Sequence, residues 1–160
     1  MTIQAGDRIP EVTLKRIREG METIDTHALF DGRRAVLFGV PGAFTPTCSA
    51  KHLPGFVEKE AELKAKGIDE IACTSVNDAF VLGAWAKSAE AGDITMLADG
   101  NGEFAKATGL DFDGSKFGMG TRSQRYSMIV NDGVVEQLNV EAPGEFKVAS
   151  AEHVLAQLAV

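Results

Sequence analysis

The sequence is poor in cysteine, with Cys48 and Cys73 alone among 160 residues. At most one internal disulfide can form, which excludes the disulfide framework of a small secreted domain. Neither cysteine belongs to a Cys-x-x-Cys pair, and His27, His52 and His153 show no His-x-x-x-His spacing. No metal site and no dithiol-exchange motif is therefore expected. Positive charge is also in deficit, since 16 basic residues against 23 acidic ones give a net charge of −7. That balance argues against a general nucleic-acid or anionic-membrane surface. No apolar run approaches the roughly 20 residues needed to span a bilayer. The first 22 residues mix Gln4, Asp7, Arg8, Glu11, Lys15 and Arg16 with their apolar members, unlike a signal peptide. Repeats, low-complexity tracts and linkers are missing as well. A reducing, cytoplasmic compartment and a single domain over residues 1–160 are the expectation.

Enough apolar sequence is present, at 44% of residues, to bury a real core. Its most informative stretch is the run Ala35 to Val40, too short for a helix and long enough for a buried strand. Pro41-Gly42 breaks that run, and Thr45-Pro46 then reads as a helix start, with a hydroxyl at the N-cap and proline at the first helical position. In that register Cys48 falls in the first helical turn. There the unpaired N–H groups and the helix dipole favour a thiolate. The competing reading is a buried cysteine acting as a small hydrophobe.

The remaining pattern is α/β. Residues 9–24 read as a hairpin-like entry turning at Glu19-Gly20, and Thr26 to Phe30 as a brief helical turn. The helix carrying Cys48 is expected to run to about Lys66 and stop at Gly67, with Pro54 disturbing its first turn. A strand over Ile68 to Ser75, a helix over Asp78 to Glu90, a strand over Ile94 to Ala98 and a helix over Asn101 to Thr108 follow. Phe80, Leu82, Ala84 and Trp85 supply the apolar surface of the first of those helices. Leu110 to Gly120 reads as loop. Arg125 to Val130 and Val134 to Val140 form a hairpin through Asp132-Gly133, and Ala151 to Leu158 closes as a helix. Such an order implies a mixed sheet covered by helices.

The string Pro41-Gly42-Ala43-Phe44-Thr45-Pro46-Thr47-Cys48-Ser49, continued by Lys51-His52-Leu53-Pro54-Gly55-Phe56, resembles the peroxidatic loop of type II (atypical) peroxiredoxins. Ser75-Val76-Asn77-Asp78, Ala98-Asp99-Gly100 and Arg125-Tyr126-Ser127-Met128 match in the same order along the chain. The resemblance implies a thioredoxin-like fold with a central mixed β-sheet flanked by helices. It also implies a thiol peroxidase that needs no cofactor and reduces hydrogen peroxide and alkyl hydroperoxides through a sulfenic acid at Cys48. Thr45 would hydrogen-bond the peroxide and Arg125 would supply the cation, with Arg122 the near alternative. Pro41 and Thr47 would shape the site. Cys73 is a candidate resolving cysteine, although burial in an apolar strand is its simpler role. No cysteine lies in residues 144–150, where some relatives carry their resolver. A one-cysteine cycle reset by glutathione and glutaredoxin is favoured over thioredoxin, and the resemblance implies a homodimer. Two rival readings accompany this one. A Cys/His hydrolase would use His52 as base, and a redox sensor on the same fold would use Cys48 oxidation to alter a partner contact.

Overall fold

The computed structural model describes residues 2–17, 20–91 and 93–158 and, for Cys48 and Ser49, the backbone alone. The chain enters through β1 (Thr13–Ile17) and β2 (Met21–Asp25) and passes into α1 (Thr26–Phe30). The Asp25 carboxylate caps that helix by accepting from the His27 N–H. After β3 (Arg34–Gly39) come a π-helical turn (Cys48–His52), α2 (Leu53–Glu58) and α3 (Glu60–Ala65). β4 (Glu70–Ser75), α4 (Ala79–Ser88), β5 (Thr95–Ala98) and α5 (Glu103–Thr108) follow. A ribbon of β6 (Asp111–Asp113) and β7 (Thr121–Ser123) precedes β8 (Tyr126–Asn131), β9 (Val134–Val140) and α6 (Ala151–Leu158).

Seven strands make one sheet in the order β2-β1-β5-β4-β3-β8-β9. The β3–β4 and β4–β5 pairs are parallel and the others antiparallel, so the sheet is mixed. β3 is buried on both faces, which is why its sequence runs apolar without alternation. Val36 and Phe38 face a core shared with Ile71, Cys73, Phe56, Leu82 and Val154. Ala35 and Leu37 face the opposite core, with Phe30, Ala72, Phe104 and Met128. Each such large side chain withdrawn from water contributes roughly 1.5–3 kcal/mol. Asp132 and Gly133 both hold positive φ, 50° and 79°, as the two-residue turn between β8 and β9 requires.

Several elements depart from what the sequence suggests. The Cys48 helix is not continuous to Lys66. It starts at Pro46, winds as a π turn over Cys48–His52, and breaks again at Lys59 between α2 and α3. Pro54 has no N–H for the carbonyl of Ala50, and an i→i+5 turn moves the demand for a donor one residue past it. Gly67, at φ 95°, stops α3 as expected. The Leu110–Gly120 stretch is not all loop, because residues 111–113 pair with 121–123. Strands of three residues carry no readable alternation. Phe80 does not join the core from α4 but stands 69% exposed, while Leu82 and Trp85 are buried. The entry hairpin forms as read, and Glu19 of its turn lies outside the described residues.

β3 ends against β8 through a close approach that only glycine permits. Gly39 pairs with Tyr126, and a Cβ at Gly39 would lie 2.3 Å from the Tyr126 ring, itself buried. Gly39→Ala is therefore expected to cost about 1–3 kcal/mol of stability, read as a lowered urea midpoint. An unchanged midpoint would contradict this packing.

Candidate active site

The chain leaves β3 at Gly39 into a loop that is held from both sides. The Val40 N–H donates to the Thr74 carbonyl at 3.1 Å, and the Ala43 N–H donates to Asn77 Oδ1 at 3.0 Å. Ser75 Oγ donates to the same Asn77 oxygen at 2.6 Å, so the end of β4 fixes the loop's path. Phe44 then takes φ 63°, a left-handed conformation costly for a bulky residue. The Thr45 N–H and hydroxyl both donate to the Gly42 carbonyl, at 3.3 and 2.6 Å. Its hydroxyl thus closes the loop on itself, and its lone pairs are the part of it open to an incoming donor. Pro41 and Thr47 are half-buried on this loop, and the backbone of Cys48 opens the π turn that follows.

Arg125 reaches the same place from the sheet. The Gly39–Tyr126 pairing sets Arg125, one residue before β8, level with the loop's exit from β3. Its Nη1 donates to His52 Nδ1 at 2.9 Å, and its guanidinium carbon lies 5.9 Å from the centroid of the Phe146 ring. The cation expected from the sequence is therefore bonded directly to the turn that begins with Cys48.

His52 is fully buried among aromatic rings, with centroids of Phe38, Phe146 and Phe56 at 4.9, 5.1 and 5.7 Å. Phe38 and Phe56 are themselves stacked at 4.1 Å. His52 Nε2 lies 2.9 Å from the Ala149 carbonyl. A carbonyl can only accept, so Nε2 carries the proton and Nδ1 is the acceptor, as the donating guanidinium also requires. Burial, and then the Arg125 charge, push the His52 pKa down to about 3, against a smaller opposing effect of the Ala149 bond. The ring is neutral and both of its nitrogens are committed. Neither serves as a base for Cys48, which removes the ground for the Cys/His hydrolase reading.

Arg122, the alternative cation, donates from Nε to the Met119 carbonyl at 3.0 Å and from Nη1 to the Val76 carbonyl at 3.2 Å. It ties the 114–120 turn to the end of β4. Cys73 sits inside β4, in register with Phe38 on β3 and Met96 on β5, with no exposed surface. Among the described residues, no three His, Cys, Asp or Glu side chains gather as a metal site needs. Sequence reasoning missed Phe146, Ala149 and Glu141, whose carboxylate organises residues 147–149. Nothing local marks them, because Phe146 and Ala149 meet His52 only once the segment after β9 has folded over it.

Residues 4–155 match the Redoxin family. Peroxiredoxin-2E-2, chloroplastic, of Oryza sativa subsp. japonica is 51% identical over 164 residues, covering 98% of this chain and 73% of that one. Peroxiredoxin-2B of Arabidopsis thaliana is 47% identical over 159 residues, covering 98% of both. The crystal structure of reduced Prx3 from Vibrio vulnificus in complex with H2O2 superposes with a TM-score of 0.95 at 52% identity, covering 99% of this chain and 97% of that one. The helix-flanked mixed sheet is thus the thioredoxin-like peroxiredoxin fold. With the loop, the arginine and these relatives in agreement, the chain belongs to the atypical peroxiredoxins, which are thiol-dependent peroxidases.

Proposed function

We propose that the protein reduces hydrogen peroxide and organic hydroperoxides at Cys48 and is reset by glutathione with glutaredoxin. The Cys48 thiolate attacks one peroxide oxygen; an S–O bond forms, the O–O bond breaks, and the leaving oxygen departs as hydroxide or alkoxide and takes up a proton. Sulfur is oxidised to sulfenic acid and the peroxide is reduced to water or an alcohol. Negative charge moves onto the leaving oxygen, so a fixed cation lowers the barrier. The bond from Arg125 Nη1 to His52 Nδ1 carries this reading, since it anchors a guanidinium to the turn bearing Cys48. Anchoring one corner of a planar fork sets the direction of the rest. Thr45, its proton given to Gly42, acts as acceptor for the peroxide O–H. Pro41 and Thr47 shape the entrance.

The burial of Cys73 in mid-sheet supports the one-cysteine cycle. Glutathione condenses with the sulfenic acid, forming a mixed disulfide and water. A second thiol equivalent, relayed by glutaredoxin, releases Cys48 and oxidised glutathione. The π turn, which lacks a regular ladder into α2, is the segment that opens to admit the reductant. A homodimer is part of the proposal. Phe44, Phe80 and Phe117 are 53–71% exposed, and such large apolar side chains left in solvent suit a contact with a second copy. A reducing compartment, proposed as the cytoplasm, suits such a cycle; the rice relative is named chloroplastic.

Peroxide turnover with glutathione and glutaredoxin tests the activity. Cys48→Ser is expected to abolish it, and retained turnover would overturn the assignment. Stoichiometric oxidation of the wild type without turnover would favour a sensor instead. Arg125→Ala is expected to slow sulfenic acid formation by about 10²–10³-fold, measured by competition kinetics, with the fold retained by circular dichroism; a normal rate would transfer the role to Arg122. A pH effect follows from His52. The unfolded histidine protonates near its ordinary 6.5 and the folded one only near 3, so between these values the unfolded state binds more protons. Stability is full above pH 6.5 and falls on acidification, by up to about 1.4 kcal/mol per pH unit. Urea midpoints at pH 7, 6 and 5 should show a decline that His52→Gln reduces; equal slopes in the two proteins would contradict the buried neutral ring.

A further inference from the structure

Glu141 immediately follows β9 and is 7% exposed. Its N–H donates to the Arg125 carbonyl at 2.9 Å. Its Oε2 accepts from the N–H groups of Lys147, Val148 and Ala149 at 2.6, 2.7 and 2.7 Å. Those three residues lie outside any helix or strand, and their N–H groups need partners where the chain is packed inward at Ala149. One carboxylate oxygen meets the need of all three. The Ala149 carbonyl then accepts from His52 Nε2, and His52 Nδ1 accepts from Arg125 Nη1. A closed ring of bonds results, from the Arg125 backbone through Glu141, Ala149 and His52 back to the Arg125 side chain. Phe146, whose ring contacts both His52 and the guanidinium, belongs to the segment that Glu141 gathers.

We propose that Glu141 is a positioning residue for the peroxidase step. By drawing the N–H groups of residues 147–149 onto one oxygen, it aims the Ala149 carbonyl at His52 Nε2. That bond selects the imidazole tautomer whose Nδ1 can accept from Arg125, and so sets the plane of the guanidinium beside the Cys48 turn. Glu141 touches no reacting atom and acts entirely through other groups. The neighbouring charges do not substitute for it, since Lys147 Nζ pairs with Glu145 at 3.4 Å on the surface. The inference rests on the peroxidase reading above.

The test compares wild type with Glu141→Ala, Glu141→Gln and Leu82→Ala, the last loosening the core under α4 without removing any member of the ring. Three quantities are read on each: the rate constant with hydrogen peroxide, the pH midpoint of Cys48 alkylation by iodoacetamide, and the ¹⁵N shifts of the His52 ring. Glu141→Ala should slow the peroxide reaction by about 10- to 100-fold, raise the alkylation midpoint, and lose the single Nε2–H tautomer pattern. Glu141→Gln, whose amide oxygen can accept the same three N–H groups, should restore most of the rate and the tautomer. Leu82→Ala should lower stability and leave the midpoint and tautomer in place. If Glu141→Ala does not fold, Glu141→Asp, with its oxygen drawn back by one methylene, should move the three readouts the same way. An unchanged midpoint and tautomer in whichever of the two folds, or equal shifts in Leu82→Ala, would overturn the proposal. A wild-type Cys48 that reacts with neither peroxide nor iodoacetamide would instead remove the peroxidase reading, and the positioning role with it.

Discussion

The hydrogen bond from Arg125 Nη1 to His52 Nδ1 joins the two halves of this site. One partner belongs to the loop-and-helix segment after β3, the other to the residue before β8. The bond requires a neutral imidazole with its proton on Nε2, and the structure enforces that state in two ways. Burial among Phe38, Phe56 and Phe146 makes a charged ring costly, and the Ala149 carbonyl takes the one proton the neutral ring carries. A protonated ring beside a guanidinium would place two positive charges in contact and would set an Nδ1–H donor against the Arg125 donor. Histidine here accepts from Arg125 and donates to Ala149.

The sheet is what makes the bond geometrically available. The Gly39–Tyr126 register brings the end of β3 beside the start of β8, and the absence of a Cβ at Gly39 lets the Tyr126 ring lie against the strand. β4 contributes from the other side, where Ser75 and Asn77 hold Ala43 and the Val76 carbonyl holds Arg122. The loop after β3 is thus fastened at the carboxyl ends of two parallel strands, and strain at Phe44 is tolerated because its neighbours on both sides are tied down. The π turn relieves the conflict between a helix start and Pro54.

Features with local causes were readable from the chain. The Thr45-Pro46 start, the Asp132-Gly133 turn and the Gly67 stop each depend on the conformational preferences of one or two residues, and each occurs where expected. The run Ala35 to Val40 announced a doubly buried strand through its lack of alternation. Arg125 was found through a matched motif; nothing about an arginine before a strand says which way it points. The hydrogen-bond partners of His52 stand 73 and 97 positions away, brought to it by tertiary packing that no local pattern encodes. No sequence pattern singles out Glu141, because its three backbone partners exist only once residues 147–149 have folded over the site. The short β6–β7 ribbon was hidden for a related reason, since its strands are defined by each other and not by their own composition.

Chemistry at Cys48 is the central claim, and intact mass tests it most directly. Wild type and Cys73→Ser would each receive one equivalent of hydrogen peroxide and then glutathione. Both proteins should gain one oxygen and then exchange it for a single glutathione, mapped to Cys48. Loss of two hydrogens in the wild type alone would make Cys73 a resolving partner and contradict the one-cysteine cycle. Failure of Cys48 to be modified in either protein would contradict the peroxidase itself.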